Sequence, residues 1–278
     1  MATRIQCVIA AAALGLVLAS GVTAARAQDA SPWQGDSRAA MRLIGASTRP
    51  ADGADVLRAG VEIRLQPGWK TYWRYPGDSG VPPRFDFAGS ENVKSVSVLW
   101  PAPQRFLDGA GGASIGYGQD VILPLRVVAQ RAGPVTLRLK LDYAVCEKLC
   151  VPVDARAELA LSRKKTAQEA ALAAAEGRVP RAAGVGKGSP LAVRSVRREA
   201  NRIFVDVAGN MPVDLFAEGP SPDWALPLPQ PVAGAPGGVQ RFSFALEGLP
   251  AGVKPDGAVL KLTAVSGNEA IEVPAHLD

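Results

Sequence analysis

Two cysteines near the middle of the chain, Cys146 and Cys150, are the residues whose type and spacing best support chemistry. Two thiols at this separation can close into a disulfide, and another thiolate can attack that disulfide and exchange with it. The chain has a third cysteine, Cys7, and a single histidine, His276. Because a Ser-His-Asp triad or a multi-histidine zinc site would depend on that one histidine, the sequence argues against both kinds of site.

The sequence on either side of the pair alternates between apolar and polar residues, which is typical of strands with one buried face. The odd-numbered positions are apolar from Val135 to Val145, and again from Val151 to Leu161. Both cysteines therefore fall on the polar phase of two adjacent strands, facing each other across a short turn. Directly opposed residues of an antiparallel pair have Cα atoms about 4.5 or 5.5 Å apart, which suits a disulfide.

The spacing leaves the role of this bond open. A structural disulfide in a non-catalytic β-sandwich adaptor is one interpretation, since exported proteins commonly carry such bonds. Against it, closing a loop of about five residues stabilises a fold by only about 2 kcal/mol in the chain-entropy model. Structural bridges of sandwich folds also normally cross the core, whereas the strand phase puts this pair on an outer face. A third interpretation is a Cu(I)-binding module, which the few methionines and single histidine support poorly.

The rest of the chain predicts an all-β protein with two domains, which its 278 residues allow. Residues 37–161 contain many short alternating runs separated by turn residues, which is typical of an immunoglobulin-like antiparallel sandwich. An Ala-rich stretch over 163–176 predicts a short helix. The Gly-rich segment 177–190 predicts a flexible linker, and residues 191–278 predict a second, smaller β domain without cysteine.

The N-terminus has the form of a secretory signal peptide. Arg4 precedes an apolar run from about Cys7 to Ser20, and Ala25-Arg26-Ala27 provides a small-residue cleavage site. We expect cleavage after Ala27, which removes residues 1–27 and leaves a periplasmic mature chain without a transmembrane segment. The formal net charge of +5 is not gathered into a dense Lys/Arg block, so we expect no nucleic-acid partner.

Three segments of the sequence resemble the amino-terminal periplasmic domain of DsbD-type thiol:disulfide interchange proteins. They are Gly68 to Arg74 (GWKTYWR), Phe106 to Pro124 (FLDGAGGASIGYGQDVILP) and Tyr143 to Pro152 (YAVCEKLCVP). The resemblance covers about residues 37–161 and implies an immunoglobulin-like fold without a dedicated cofactor. It also implies a donor, either a membrane thiol reductase or a thioredoxin-like protein, and acceptors that are periplasmic disulfide proteins.

The same resemblance implies roles for individual residues. Cys146 and Cys150 become the redox pair, and Cys150 becomes the sulfur that forms a mixed disulfide with a partner. Phe106 and the segment from Asp108 to Ile115 correspond to a cap loop over the disulfide, and Tyr72 corresponds to an aromatic neighbour. The best-known family members have five residues between the cysteines and an aromatic cap tip, whereas this chain has three residues and a Gly-rich segment.

We predict that the exported protein begins at Gln28, because the small-residue cleavage site ends at Ala27. N-terminal sequencing of the protein recovered from a periplasmic extract measures this directly. An intact Met1, or a lipid-modified N-terminus, would contradict the prediction.

Overall fold

The computed structural model describes residues 29–51, 54–107, 112–210 and 212–278, so the expected signal peptide lies outside the described residues. Nearly all regular structure in these ranges is β-strand, as the sequence predicts. The elements up to the helix are β1 (Gln34–Gly35), β2 (Ala39–Gly45), β3 (Arg49–Ala51), β4 (Ala54–Leu65), β5 (Lys70–Gly77), β6 (Arg84–Asp86), β7 (Val93–Val98), β8 (Gln104–Leu107), β9 (Ala113–Tyr117), β10 (Val121–Ala129), β11 (Val135–Cys146), β12 (Cys150–Leu161) and α1 (Glu169–Glu176).

The strands before the helix form two antiparallel sheets. One has the order β1-β2-β4-β10-β7 with β3 paired to β4, and the other has the order β12-β11-β5-β9-β8 with β6 paired to β11. Alternate positions of both sheets meet in one core, to which Val61 and Leu123 contribute from the first sheet and Trp73, Leu139 and Val145 from the second. This arrangement is the predicted immunoglobulin-like sandwich.

The residues after the helix form a second, smaller β structure with its own core. Its elements are β13 (Arg181–Ala182), β14 (Ala192–Glu199), β15 (Arg202–Ala208), β16 (Asp214–Glu218), β17 (Gln230–Val232), β18 (Val239–Ala245), β19 (Val259–Ser266) and β20 (Glu269–His276). One sheet has the order β13-β20-β19-β16 and the other β14-β15-β18-β17. Strands β15, β18, β19 and β20 are the ones whose apolar patterns are visible in the sequence.

The helix begins later than its composition predicts. It starts at Glu169, so the first residues of the predicted range 163–176 are not helical. Their polar groups bind elsewhere: the Ala167 N–H donates to the carboxylate of Asp29 at 2.9 Å, and the Thr166 hydroxyl donates to a carbonyl of β2 at 2.6 Å. These contacts hold the residues before the helix against β2 and against Asp29, which precedes β1. No helix in the described ranges is long and apolar enough to span a membrane.

The flexible linker predicted for residues 177–190 is instead a bound segment. The Arg178 carbonyl accepts a hydrogen bond from Ala102 at 2.8 Å, and β13 pairs in parallel with β20. Gly186 and Gly188 have φ values of +76° and +105°, a region that L side chains rarely adopt. Glycine is therefore present at these positions because the backbone turns there with positive φ. Its presence does not indicate a free linker.

Helix α1 is held on the first sheet by a buried arginine. The Arg58 guanidinium, on β4, donates to both carboxylate oxygens of Glu176 at 2.7 and 2.8 Å and to Glu169 at 2.9 Å. Its side chain is nearly inaccessible, whereas the two glutamates remain about a quarter exposed. The arginine thus joins both ends of the short helix to the sandwich.

We predict that Arg58→Ala lowers the free energy of unfolding by about 2–3 kcal/mol, because hydrogen bonds to charged groups are lost while the glutamates can still be hydrated. Urea denaturation of the mature chain measures the loss. Arg156→Ala is the control, since that side chain is 75% exposed, and it should change stability by less than about 0.5 kcal/mol. Equal losses in the two variants would contradict the prediction.

Candidate functional site

The two cysteines lie at the end of a continuous antiparallel hairpin. Strands β11 and β12 pair without interruption from Val135–Leu161 to Cys146–Cys150. The last pair is joined by a disulfide, and its Cα atoms are 4.2 Å apart. The expected opposition of the two cysteines across a short turn is therefore observed.

The two sulfur-bearing residues differ in exposure, which the strand phase does not predict. Cys150 is exposed at the start of β12, whereas Cys146 is only 6% exposed. Cys146 lies on the sheet face opposite the sandwich core, as expected, but it is covered there by Tyr72 and packs with Ala144 in a small separate cluster. The expectation of an open outer face is thus right for Cys150 and wrong for Cys146, because a side chain from another strand covers the second sulfur.

Tyr72 contacts the exposed sulfur directly. Its hydroxyl oxygen is 3.0 Å from Cys150 Sγ, and since a disulfide sulfur carries no hydrogen, the phenol is the donor. Burial raises the pKa of Tyr72 above its ordinary value of 10.0, so the hydroxyl keeps its proton at neutral pH. The predicted aromatic neighbour is therefore a hydrogen-bond donor to one sulfur and a cover over the other.

Strand β5 is fixed beside the cysteine hairpin by two local features. The Thr71 hydroxyl donates to the Ala144 carbonyl at 2.9 Å, next to the pairing of Lys70 with Cys146. On the other side, a Cβ on Gly116 would lie 1.9 Å from the Thr71 carbonyl oxygen, so β9 can approach β5 only with glycine there. These contacts place the residue after Thr71 against the disulfide.

Phe106 is separated by two strands from the cysteine strand β11 in the order of the sheet. It is on β8, which β9 and β5 separate from β11. Its ring is 5.4 Å from the ammonium of Lys70, the residue that pairs with Cys146. Phe106 is therefore linked to the site through this lysine, whose position opposite a cysteine the sequence pattern does not reveal.

The expected cap loop from Asp108 to Ile115 is only partly described. Asp108 lies outside the described residues. Residues from Ala113 onward belong to β9 and are buried, with Ala113 and Ile115 in the sandwich core. The C-terminal part of the expected loop is therefore strand, because its alternate side chains fill the core.

The turn between the cysteines exposes charge and an apolar side chain. Glu147 and Lys148 are exposed, and Leu149, which precedes Cys150, is 79% exposed. A nearby cation favours a thiolate and a nearby carboxylate opposes it. Within the described ranges, no group of three or more His, Cys, Asp or Glu side chains is arranged to hold a metal ion.

Comparison with known proteins agrees with this geometry. Residues 47–162, which include the cysteine hairpin, β5 and β8, match the family model described as thiol:disulfide interchange protein DsbD, N-terminal. This segment matches the DsbD N-terminal domain. The resemblance noted in the sequence is thus confirmed, and the match supports a thiol–disulfide interchange domain.

A solved structure extends the likeness to the rest of the chain. The crystal structure of the N-terminal periplasmic domain of ScsB from Proteus mirabilis matches with a TM-score of 0.71 and 20% sequence identity, over 90% of this chain and 98% of that chain. The shared fold therefore includes the second β structure, which the DsbD family model does not cover. No curated protein sequence matches the chain.

We predict that Tyr72→Phe raises the pKa of the Cys150 thiol by about one unit, because hydrogen bonds to charged groups contribute about 1.5–3 kcal/mol and one pKa unit is about 1.4 kcal/mol. The pH dependence of alkylation by iodoacetamide, in a Cys146→Ser background, measures this pKa.

Tyr143→Phe provides a matched control for that measurement. The Tyr143 hydroxyl is buried on the core side of β11 and has no hydrogen-bond partner among the described residues. Its removal should leave the Cys150 pKa unchanged. A Tyr72→Phe variant with the same thiol pKa as Tyr143→Phe would contradict the assigned role of the Tyr72 hydroxyl.

Proposed function

We propose that the protein is a periplasmic thiol–disulfide interchange protein that uses Cys146 and Cys150 as its redox pair. It accepts reducing equivalents from a membrane thiol reductase or thioredoxin-like donor and passes them to periplasmic disulfide proteins. The observation that carries the proposal is the unequal exposure of the pair, with Cys150 open to solvent and Cys146 covered by Tyr72. The family match over residues 47–162 supports it.

Reduction of the pair begins when a donor thiolate attacks Cys150 Sγ. A new bond joins the donor sulfur to Cys150, the Cys146–Cys150 bond breaks, and Cys146 leaves as a thiolate. The donor's second thiolate then attacks the donor sulfur of this mixed disulfide and releases Cys150. The donor is left as a disulfide, and the pair has gained two electrons and, after protonation, two protons.

Delivery of the electrons reverses these steps. The Cys150 thiolate attacks a disulfide of the acceptor protein and expels one acceptor sulfur as a thiolate. Cys146 then attacks Cys150 Sγ in the mixed disulfide, which releases the second acceptor sulfur and restores the Cys146–Cys150 bond. In each direction the partner forms its bond with the exposed sulfur of Cys150. The covered sulfur of Cys146 reacts only with Cys150 and does not need to contact another protein.

The surroundings of the pair suit this division of roles. The Tyr72 hydroxyl, 3.0 Å from Cys150 Sγ, can stabilise negative charge on that sulfur whenever its bond to a partner breaks. Leu149 offers an exposed apolar contact beside the sulfur that partners reach. The hairpin itself is already held by twelve consecutive residue pairs between β11 and β12, so a disulfide closing three residues adds little stability to it.

We predict that Cys146→Ser/Cys150→Ser folds with a loss of no more than about 2 kcal/mol and exchanges no thiols. Urea denaturation tests the first part. A double variant that fails to fold would support the structural disulfide of an adaptor instead.

The single variants test which sulfur bonds to partners. Each is mixed with a thioredoxin variant that lacks its resolving cysteine and carries a thionitrobenzoate leaving group on the other. Cys146→Ser, which keeps Cys150, should release thionitrobenzoate at least about tenfold faster than Cys150→Ser, because burial hinders Cys146. In urea the two variants should react equally, which is the internal control. Equal rates in the folded proteins would contradict the assignment of Cys150.

A further inference from the structure

Strand β5 separates from β9 immediately after Tyr72. The two strands pair at Thr71–Tyr117 and Tyr72–Gly116, and the pairing resumes only at Gly77–Ser114. Residues 73–76 of β5 therefore stand opposite the single residue 115 of β9, and we call these four residues the β5 bulge. Bulges of this kind change the direction of a strand and often lie beside active sites.

Three consecutive side chains of the β5 bulge contact the second β structure. The Trp73 ring is 5.9 Å from the ring of Phe216. The Tyr75 hydroxyl donates to the Leu226 carbonyl at 2.5 Å. The position of the bulge is thus set by residues of β16 and of the loop that follows it.

Arg74 makes the strongest of these contacts. Its guanidinium donates to both carboxylate oxygens of Glu218 at 2.9 and 2.7 Å, and to Glu272 at 2.5 Å. The Arg74 side chain is 20% exposed and that of Glu218 is 14% exposed, so this paired interaction is largely shielded from water. A bidentate arginine–carboxylate pair fixes orientation as well as distance, and here it fixes the residue two positions after Tyr72.

Strand β8, which carries Phe106, also contacts the second β structure. Arg105 donates to the carbonyls of Leu215 and Pro229, both at 3.0 Å. Its guanidinium also lies 5.7 Å from the Phe216 ring. Phe216 is therefore a shared contact of β5 and β8, and it is fully buried within the core cluster of the first sandwich, although its own strand belongs to the second.

We propose that the second β structure positions Tyr72 over the disulfide, with Phe216 and Arg74 as the positioning residues. They act through the β5 bulge and touch neither sulfur in the described contacts. This positioning of Tyr72 does not depend on the proposed function. Its consequence for exchange with partner proteins does rest on that function. Loosening the bulge contacts should uncover Cys146 and weaken the hydrogen bond from Tyr72 to Cys150.

The first test is alkylation of Cys146 by iodoacetamide in the mature chain carrying Cys150→Ser. Phe216→Ala should speed this reaction by about tenfold, the scale expected for coupled neighbouring residues. Phe244→Ala is the matched control, since Phe244 is equally buried but lies in the separate core of the second β structure. Equal acceleration by the two variants, or none by Phe216→Ala, would overturn the proposal.

Arg74 provides a second test that does not create a cavity in a core. Arg74→Gln should also accelerate alkylation of Cys146, and Arg74→Lys should restore part of the protection, because lysine keeps the charge but loses the bidentate geometry. An unchanged rate in Arg74→Gln would contradict the role of this residue even if Phe216→Ala fails to fold.

A double-variant comparison tests whether the effect passes through Tyr72. With Cys146→Ser as background, Phe216→Ala should raise the Cys150 thiol pKa, and adding Phe216→Ala to Tyr72→Phe should produce no further rise. Additive shifts of the Cys150 thiol pKa would show that the second β structure affects this thiol without acting through Tyr72. If these couplings are observed but partner proteins are not reduced, the proposed function fails while the positioning proposal stands.

Discussion

The site depends on the uninterrupted pairing of β11 with β12. Side chains of a strand alternate between faces, so a slip of one residue in this register would send the core leucines outward and the cysteines inward. The observed register ends with Cys146 opposite Cys150 and leaves only three residues for the turn. One pairing therefore fills the sandwich core, brings the two sulfurs together and places them at an end of the sheet where another protein can approach.

Much of this arrangement could be predicted from local patterns, and the rest could not because it arises between distant segments. Alternation on both sides of Cys146 and Cys150 is a local property, and it predicts the strands, their faces and the opposed sulfurs. Burial of Cys146 depends on Tyr72, which comes from a strand more than seventy residues earlier in the chain. The residues just before α1 are likewise held by a distant segment, because the Ala167 N–H donates to Asp29.

Strand β5 places three neighbouring residues in three different environments. Tyr72 faces the disulfide, whereas Trp73 enters the sandwich core and Arg74 pairs with Glu218 of the second β structure. Regular strand alternation alone would not give three consecutive side chains three separate environments. The β5 bulge makes this possible, since it releases residues 73–76 from the pairing with β9 just beyond Tyr72.

The unequal surroundings of the two sulfurs also bear on how long a mixed disulfide would last. When a partner bonds to Cys150, the departing Cys146 sulfur is left in the cluster formed with Tyr72 and Ala144. Burial disfavours a thiolate. The free energy therefore falls when the freed sulfur attacks Cys150 again or takes up a proton, since either step removes the buried charge. A positive charge near the sulfur would oppose that effect, and Lys70 is the residue of β5 that pairs with Cys146 on β11. Tyr72 thus contacts both halves of the disulfide: its hydroxyl donates to the exposed Cys150 sulfur, and its side chain packs with the buried Cys146.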